Sequence, residues 1–238
     1  MSGFLYGLGL QWKLDLRNKE ILILYYIVPL LFFAVMGGIF SSINPLAGDS
    51  LIQSMTVFGA SMGAFIGLPS QVGTLYGSDI KKVYKANGVP LYLGVVTLFL
   101  SAFVHLMITS TIIFIVAPMV FDAAIPVNVP LYYASLAVFL AVSLSLGTVL
   151  GLLVKGTSKL SMAGQMVFLP STMLSGIMFP TDLLPQVIAY VGRILPATWG
   201  YQMMTHATFD MGAFIPLAVM LLVFLLLCGY GLHRAAKE

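Results

Sequence analysis

The 238 residues carry a net charge of +3, and 60% of them are apolar while only 8% are charged, against roughly 25% charged in an average soluble domain. A water-soluble fold of this length could not cover so much apolar surface, so the composition selects lipid as the solvent. The apolar runs are continuous rather than alternating in segments of about ten residues, which excludes a β-barrel, and the basic residues sit in short clusters between the runs, which points to topology rather than nucleic acid.

The first segment, 1–19, is too polar to span and too apolar for a free tail. Leu5, Leu8, Trp12 and Leu16 recur at three- and four-residue steps with Lys13 and Arg17 beside them, the pattern of a helix lying in the membrane interface. Leu10 and Leu14 fall off that stripe, which leaves an irregular leader as the alternative. Lys13, Asp15, Arg17, Lys19 and Glu20 precede a run of spanning length, so the first span is expected to be retained rather than cleaved as a leader.

Crossing a hydrocarbon core of about 30 Å takes roughly 20 apolar residues. Six stretches meet this, at approximately 21–40, 51–76, 91–117, 131–154, 162–179 and 213–232. The gaps alternate in charge. Lys13, Arg17, Lys19, Lys81, Lys82, Lys85, Lys155, Lys159, Arg234 and Lys237 fall on one side and Arg193 alone on the other, which makes the first side cytoplasmic and puts both termini there. Tyr76, Tyr92, Tyr132, Tyr133 and Tyr230 lie near span ends, where an amphipathic ring suits the headgroup region. The expected class is an all-α integral membrane protein, one domain over 1–238, multi-pass in the plasma (inner) membrane.

Few residues inside the spans can do chemistry. The span interiors hold no Asp, Glu, Lys or Arg, and His105 is the one ionisable side chain near mid-span. An intramembrane ionisable group is a functional candidate by default; a neutral imidazole bonded to a neighbouring helix, a substrate contact and a proton relay are the three readings. Ion-coupled carriers usually bury carboxylates or ion sites at the midplane, and none is expected here. Gly151 to Gly156 approaches a phosphate-binding loop, but Thr157 stands where that motif needs lysine, so no ATP site is assigned. Cys228 is a lone thiol within the last run, which forms no disulfide inside the chain.

Between the second and third runs, residues 77–90 read as a short cytoplasmic helix. Ser78 or Asp79 caps its start, Lys81, Lys82 and Lys85 favour its later turns, and Gly88 with Pro90 ends it. It either docks a partner or enforces orientation and touches anionic lipid. The fifth run holds Pro170 and closes through Gly176, Phe179, Pro180 and Pro185, after which an apolar segment, 186–195, precedes Pro196 and Trp199. About ten residues cannot cross, so this segment lies in the outer interface or re-enters. Gly59, Gly63 and Gly67 form a small-residue ridge for close helix packing. Met162, Met166 and Met173 share one helical side, which suits either an adaptable wall or gap filling.

With these residues in view, the chain resembles the ABC-2 type permeases, the membrane subunits of type-2 ABC exporters. The resemblance rests on the basic N-terminal helix, the lysine-bearing loop and the 176–196 stretch. It implies six transmembrane helices, an N-terminal interfacial elbow helix and short outer re-entrant helices, at 180–199, between spans five and six. It implies that 79–86, with Asp79, Lys81, Lys82, Tyr84 and Lys85, is a coupling helix docking on a separate ABC ATPase, and that Gly176, Phe179, Pro180, Pro185 and Pro196 belong to an outer gate. ATP and Mg would sit on that partner, with no cofactor held by this chain. A second permease copy or paralogue and membrane lipid are the other partners. Phe58, Met62, Phe65, Phe103 and His105 are candidate path residues, and the cargo expected is a hydrophobic or amphipathic drug, antibiotic, peptide or lipid-like molecule. A polysaccharide exporter or an ion-coupled carrier is the alternative.

Overall fold

The computed structural model describes residues 2–43, 45–77, 83–84, 86–178 and 185–237. Among these there are helices and no strand. Helix α1 is Ser2–Arg17; Asn18 then leaves the helical region and its side chain accepts the Glu20 N–H, starting a second helix in a new direction. The first span runs from α2 (Lys19–Leu22) through a π-helical turn (Ile23–Ile27) into α3 (Val28–Ile43). The second joins α4 (Leu51–Met62), a π-helical turn (Gly63–Gly67) and α5 (Leu68–Gly77). There follow α6 (Leu91–Phe121), α7 (Val129–Leu153), α8 (Thr157–Leu174), α9 (Gln186–Gly192), α10 (Pro196–Thr205) and α11 (Met211–Lys237).

Each π turn is followed by a proline. Pro29 and Pro69 each stand two residues beyond a π turn, and a proline inside a helix offers no N–H and crowds the carbonyl four residues back. Those carbonyls belong to Tyr25 and Phe65, and widening to i→i+5 bonding accommodates the ring. The Val28 N–H accordingly reaches Ile23 O, and the Leu68 N–H reaches Gly63 O. A carbonyl released in this way must find a partner within the protein, because lipid supplies none. Thr109 of α6 donates its hydroxyl to Tyr25 O at 2.7 Å; at Phe65 O the Gly164 backbone makes a close packing contact, so tight that a Cβ there would overlap it.

The second span is the hub. It is buried over 94% of its most apolar window, against 17% for α11 and 28% for the first span, so the other helices pack around it. The small-residue ridge is what lets them in. Gly59 receives Pro29, with 3.1 Å between a hypothetical Cβ and the ring, while Gly63 and Gly67 receive Leu106 and the Tyr25 ring. Two glycines outside that ridge matter as much: Gly147 of α7 lies against Ala64 O and Gly164 of α8 against Phe65 O, both on the π-turn backbone.

Five helical segments are long and apolar enough to cross a membrane: Lys19–Phe40, Gly48–Gly77, Leu91–Phe121, Val129–Leu153 and Met211–Lys237. The stretch expected as a sixth span at 162–179 differs. Its helix, α8, starts earlier, among Thr157, Ser158, Lys159 and Ser161, and ends at Leu174, with Gly176 taking φ +91° just beyond. Those polar first turns keep it out of the apolar set, so the expected count of six stands at five by length and composition among the described residues. Its methionine side, Met162, Met166 and Met173, is exposed on the single chain.

Replacing Gly147 or Gly164 with alanine forces a Cβ against backbone rather than a yielding side chain, so each substitution should destabilise the bundle by about 1–3 kcal/mol. Gly229→Ala, where a Cβ meets open space, should be neutral or slightly stabilising. Thermal unfolding of the purified variants checks this, and equal effects at all three positions would contradict it.

Candidate functional site

The richest polar cluster lies where α1 meets the bundle. Along α1, Leu8, Gln11, Trp12 and Asp15 fall on one face at three- and four-residue steps. That face, rather than the leucine stripe through Leu16, turns inward: Asp15 is 1% exposed and Leu16 46%. The span interiors carry no carboxylate of their own, and this one reaches the bundle from the neighbouring α1. Ser101 donates to Asp15 Oδ2 and Gln11 Nε2 to Oδ1.

His105 completes the junction from α6. Its ring stacks on Trp12 at 4.0 Å between centroids and 7° between planes. Nδ1 lies 2.7 Å from Tyr26 Oη, and Nε2, which has no hydrogen-bond partner, lies 3.8 Å from Asp15 Oδ2. When Tyr26 donates to Nδ1, the ring proton sits on Nε2 and faces the carboxylate. Tyr25 lies tilted beside the imidazole at 5.8 Å and accepts from Gln71 Nε2 at 2.8 Å. At the rim, Ser70 donates to Glu20. Four chain segments, α1 and the first three spans, thus meet in one hydrogen-bonded patch.

His105 stands at the middle of the 31-residue α6 and is fully buried, covered by Trp12 of α1 and by Tyr25 and Tyr26 of the first span.

The other candidate path residues lie in or against the core of the single chain. Phe58 stacks on Phe32 at 3.7 Å and meets Phe168 edge-on at 5.4 Å; Met62 and Phe65 are buried, and Phe103 is half-buried against the core.

Of the lysine-bearing loop, Asp79, Lys81, Lys82 and Lys85 lie outside the described residues, and Tyr84 within them. Its end is visible. Val89 N–H bonds Tyr84 O at 2.9 Å and Gly88 adopts φ +66°, the six-to-one bond and left-handed residue of a Schellman terminus. The Tyr84 ring rests over Gly94, and Tyr76 donates to Leu91 O, so the loop's return is clamped to the start of α6.

At the opposite end, Phe179 and Pro180 lie outside the described residues. Pro185 caps α9, its carbonyl accepting from Ile188 and Ala189, and Pro196 opens α10 at a position where its missing N–H costs nothing. The α9 helix rests on the end of α8 through Gly192, where a Cβ would stand 2.6 Å from Leu174 O. Trp199 Nε1 donates to Arg193 O at 2.7 Å, and Gly200 lets α10 press onto Phe139 of α7. The apolar segment 186–195 thus holds one short, largely exposed helix that ends at Gly192, and a second short helix, buried at Ala197, Met203 and Met204, follows it.

Continuous apolar spans around a glycine-rich hub, with a polar helix docked at one end and two short helices at the other, define a multi-pass α-helical membrane protein. The profile of the ABC-2 type transporter family matches residues 4–209, from within α1 to just before α11, and the chain belongs to that family. It is an ABC transporter permease, a membrane domain for transport rather than a catalytic one, of a kind that generally works with an ABC ATPase. No curated protein matches the chain.

Burial pushes the Asp15 carboxyl above its ordinary 3.8, while the bonds from Ser101 and Gln11 oppose the rise. A carboxyl whose folded pKa is raised adds its full stabilisation below the unfolded value and loses it as pH climbs through the folded one. Wild-type protein should therefore gain thermal stability relative to Asp15→Asn as pH falls toward 3.8. A difference that does not change with pH would exclude Asp15 as the titrating group.

Proposed function

We propose that this chain is the permease subunit of an ABC exporter that moves a hydrophobic or amphipathic molecule out of the cytoplasm, powered by a separate ATPase. Membership of the ABC-2 family over residues 4–209 carries the reading. Its working form is a pair of permeases, two copies or this chain with a paralogue, in the plasma membrane with both termini cytoplasmic, as the clustering of basic residues favours. Six crossings are proposed, α8 serving as the fifth, with α1 as an interfacial elbow and α9 with α10 as outer re-entrant helices over the pathway.

Residues 79–86 act as the coupling helix in this reading. ATP and Mg bind the partner; closure of the ATPases pushes the coupling helix, and the clamp of Tyr76 and Tyr84 on α6 passes that push to the third span. The rigid hub around the π turns then moves as a body and alternates access. Selection of cargo requires only that it contact the inward and outward states differently. Phe, Met and Leu dominate the spans, which favours an apolar or amphipathic cargo over a polysaccharide.

Reconstitution with the ATPase subunit tests the proposal. Replacing Lys81, Lys82 and Lys85 together by Glu should cut ATPase turnover in proteolipids by about tenfold or more, because reversing charge at a docking surface opposes association. Unchanged turnover would remove the coupling role from this loop. Solute movement by the chain alone down an imposed ion gradient would overturn the exporter reading.

A further inference from the structure

The junction between α1 and α6 holds two titratable side chains that the transport reading leaves without a task. Asp15 is 1% exposed and His105 fully buried. Their facing atoms, Oδ2 and Nε2, are 3.8 Å apart, too far for a hydrogen bond, and Nε2 has no other partner.

Little else charged faces the pair. On α1, Lys13 and Arg17 are exposed, as is Lys19 at the start of the first span, and the donor to Asp15 from α1 is the neutral Gln11. The first span brings Tyr26 to Nδ1 and Tyr25 beside the ring, the latter bonded to Gln71 of α5, while its exposed Glu20 is engaged by Ser70. Helix α6 contributes Ser101 and His105 itself. An ionised Asp15 beside a neutral imidazole is therefore a buried unit charge with no counter-ion among the described residues, an arrangement that costs free energy.

One added proton removes that cost in either of two positions. On the imidazole, it leaves Nε2–H facing the carboxylate as an ion pair, Tyr26 Oη turns to accept from Nδ1–H, and the Trp12 face, stacked at 4.0 Å, favours a cationic ring. On the carboxyl, it supplies a donor for Nε2, and Nδ1–H is given to Tyr26. Both positions cancel the charge and give Nε2 its partner.

We propose that Asp15 and His105 together form a proton-binding site that latches α1 to the bundle, one proton held by the pair as a unit and its loss loosening α1. The raised carboxyl of Asp15 agrees in direction. Docking is strongest below the undocked pKa of the carboxyl and weakens as pH climbs through the docked value of the pair, by up to about tenfold per pH unit for one proton. Because α6 is also the helix clamped by Tyr76 and Tyr84, the latch sets whether α1 follows α6.

The test uses the full chain in detergent or nanodiscs from about pH 4 to about pH 9, a window that brackets the ordinary carboxyl and imidazole values. Histidine labelling gives three NMR signals, one per histidine, and His105→Gln identifies the one from His105. Trp199→Phe leaves Trp12 as the sole indole, whose quenching by acrylamide reads the docking of α1. The His105 signal should follow a one-proton curve, and Trp12 should become more accessible with rising pH along the same curve. Asp15→Asn, which preserves shape, should remove that curve or displace it to lower pH. Ser101→Ala deletes a donor to the ionised carboxylate and should raise the midpoint by about one pH unit, a shift that a merely structural serine would not produce. A His105 signal that is flat across the window, a curve unchanged in Asp15→Asn, or Trp12 accessibility independent of pH would overturn the latch. Neither readout involves ATP hydrolysis or transport, so its failure leaves the exporter reading untouched, and failure of the exporter assay leaves this one.

Discussion

A proline inside a membrane helix removes one donor and displaces one acceptor, and in lipid the displaced acceptor has no water to fall back on. Pro29 and Pro69 impose this constraint twice, on the two helices at the centre of the fold. The consequences propagate outward: two π turns, a threonine hydroxyl delivered to Tyr25 O, and two glycines brought onto the backbone of the second span. The hub is therefore held by backbone contact as well as by side-chain packing. Such contact tolerates little volume change, and it suits a body that has to move rigidly.

The docked N-terminal helix relies on a different balance. Its inward face carries a carboxylate, an indole and an amide where an amphipathic helix would ordinarily bury leucine. Asp15 is accommodated because Ser101 and Gln11 donate to it and His105 faces it under Trp12. Such a junction is specific in a way that an apolar seam is not, since a slip of one residue would leave the carboxylate without donors. Through Tyr25 and Tyr26 it also ties α1 to the first π turn, so the polar end of the bundle and the hub form one connected structure.

The candidate site was legible from the residues in unequal measure. Gly88 and Pro90 mark the end of the lysine-bearing loop because a left-handed glycine shortly before a proline is a local signal, and Pro196 marks the start of the second short outer helix because proline suits a helix's first turn. Asp15 was not legible as part of a site. Its neighbours Leu8 and Trp12 identify the right face of α1, but Leu16 continues that face as plausibly as Asp15 does, and Ser101 and His105, which decide between them, lie some 90 residues away. The π turns were not legible either, since Pro118, Pro170 and Pro216 also stand inside helices, α6, α8 and α11, that have no such turn.

Lipid as solvent, helices as elements, near-correct positions for five spans and the alternation of basic clusters all follow from the amino-acid order, because hydrophobicity and charge act locally and add along a segment. The partner of the Tyr25 carbonyl and the inward turn of Asp15 do not. Each depends on atoms that meet across more than 80 positions of chain, and only packing chooses among the faces that a helix of mixed composition offers.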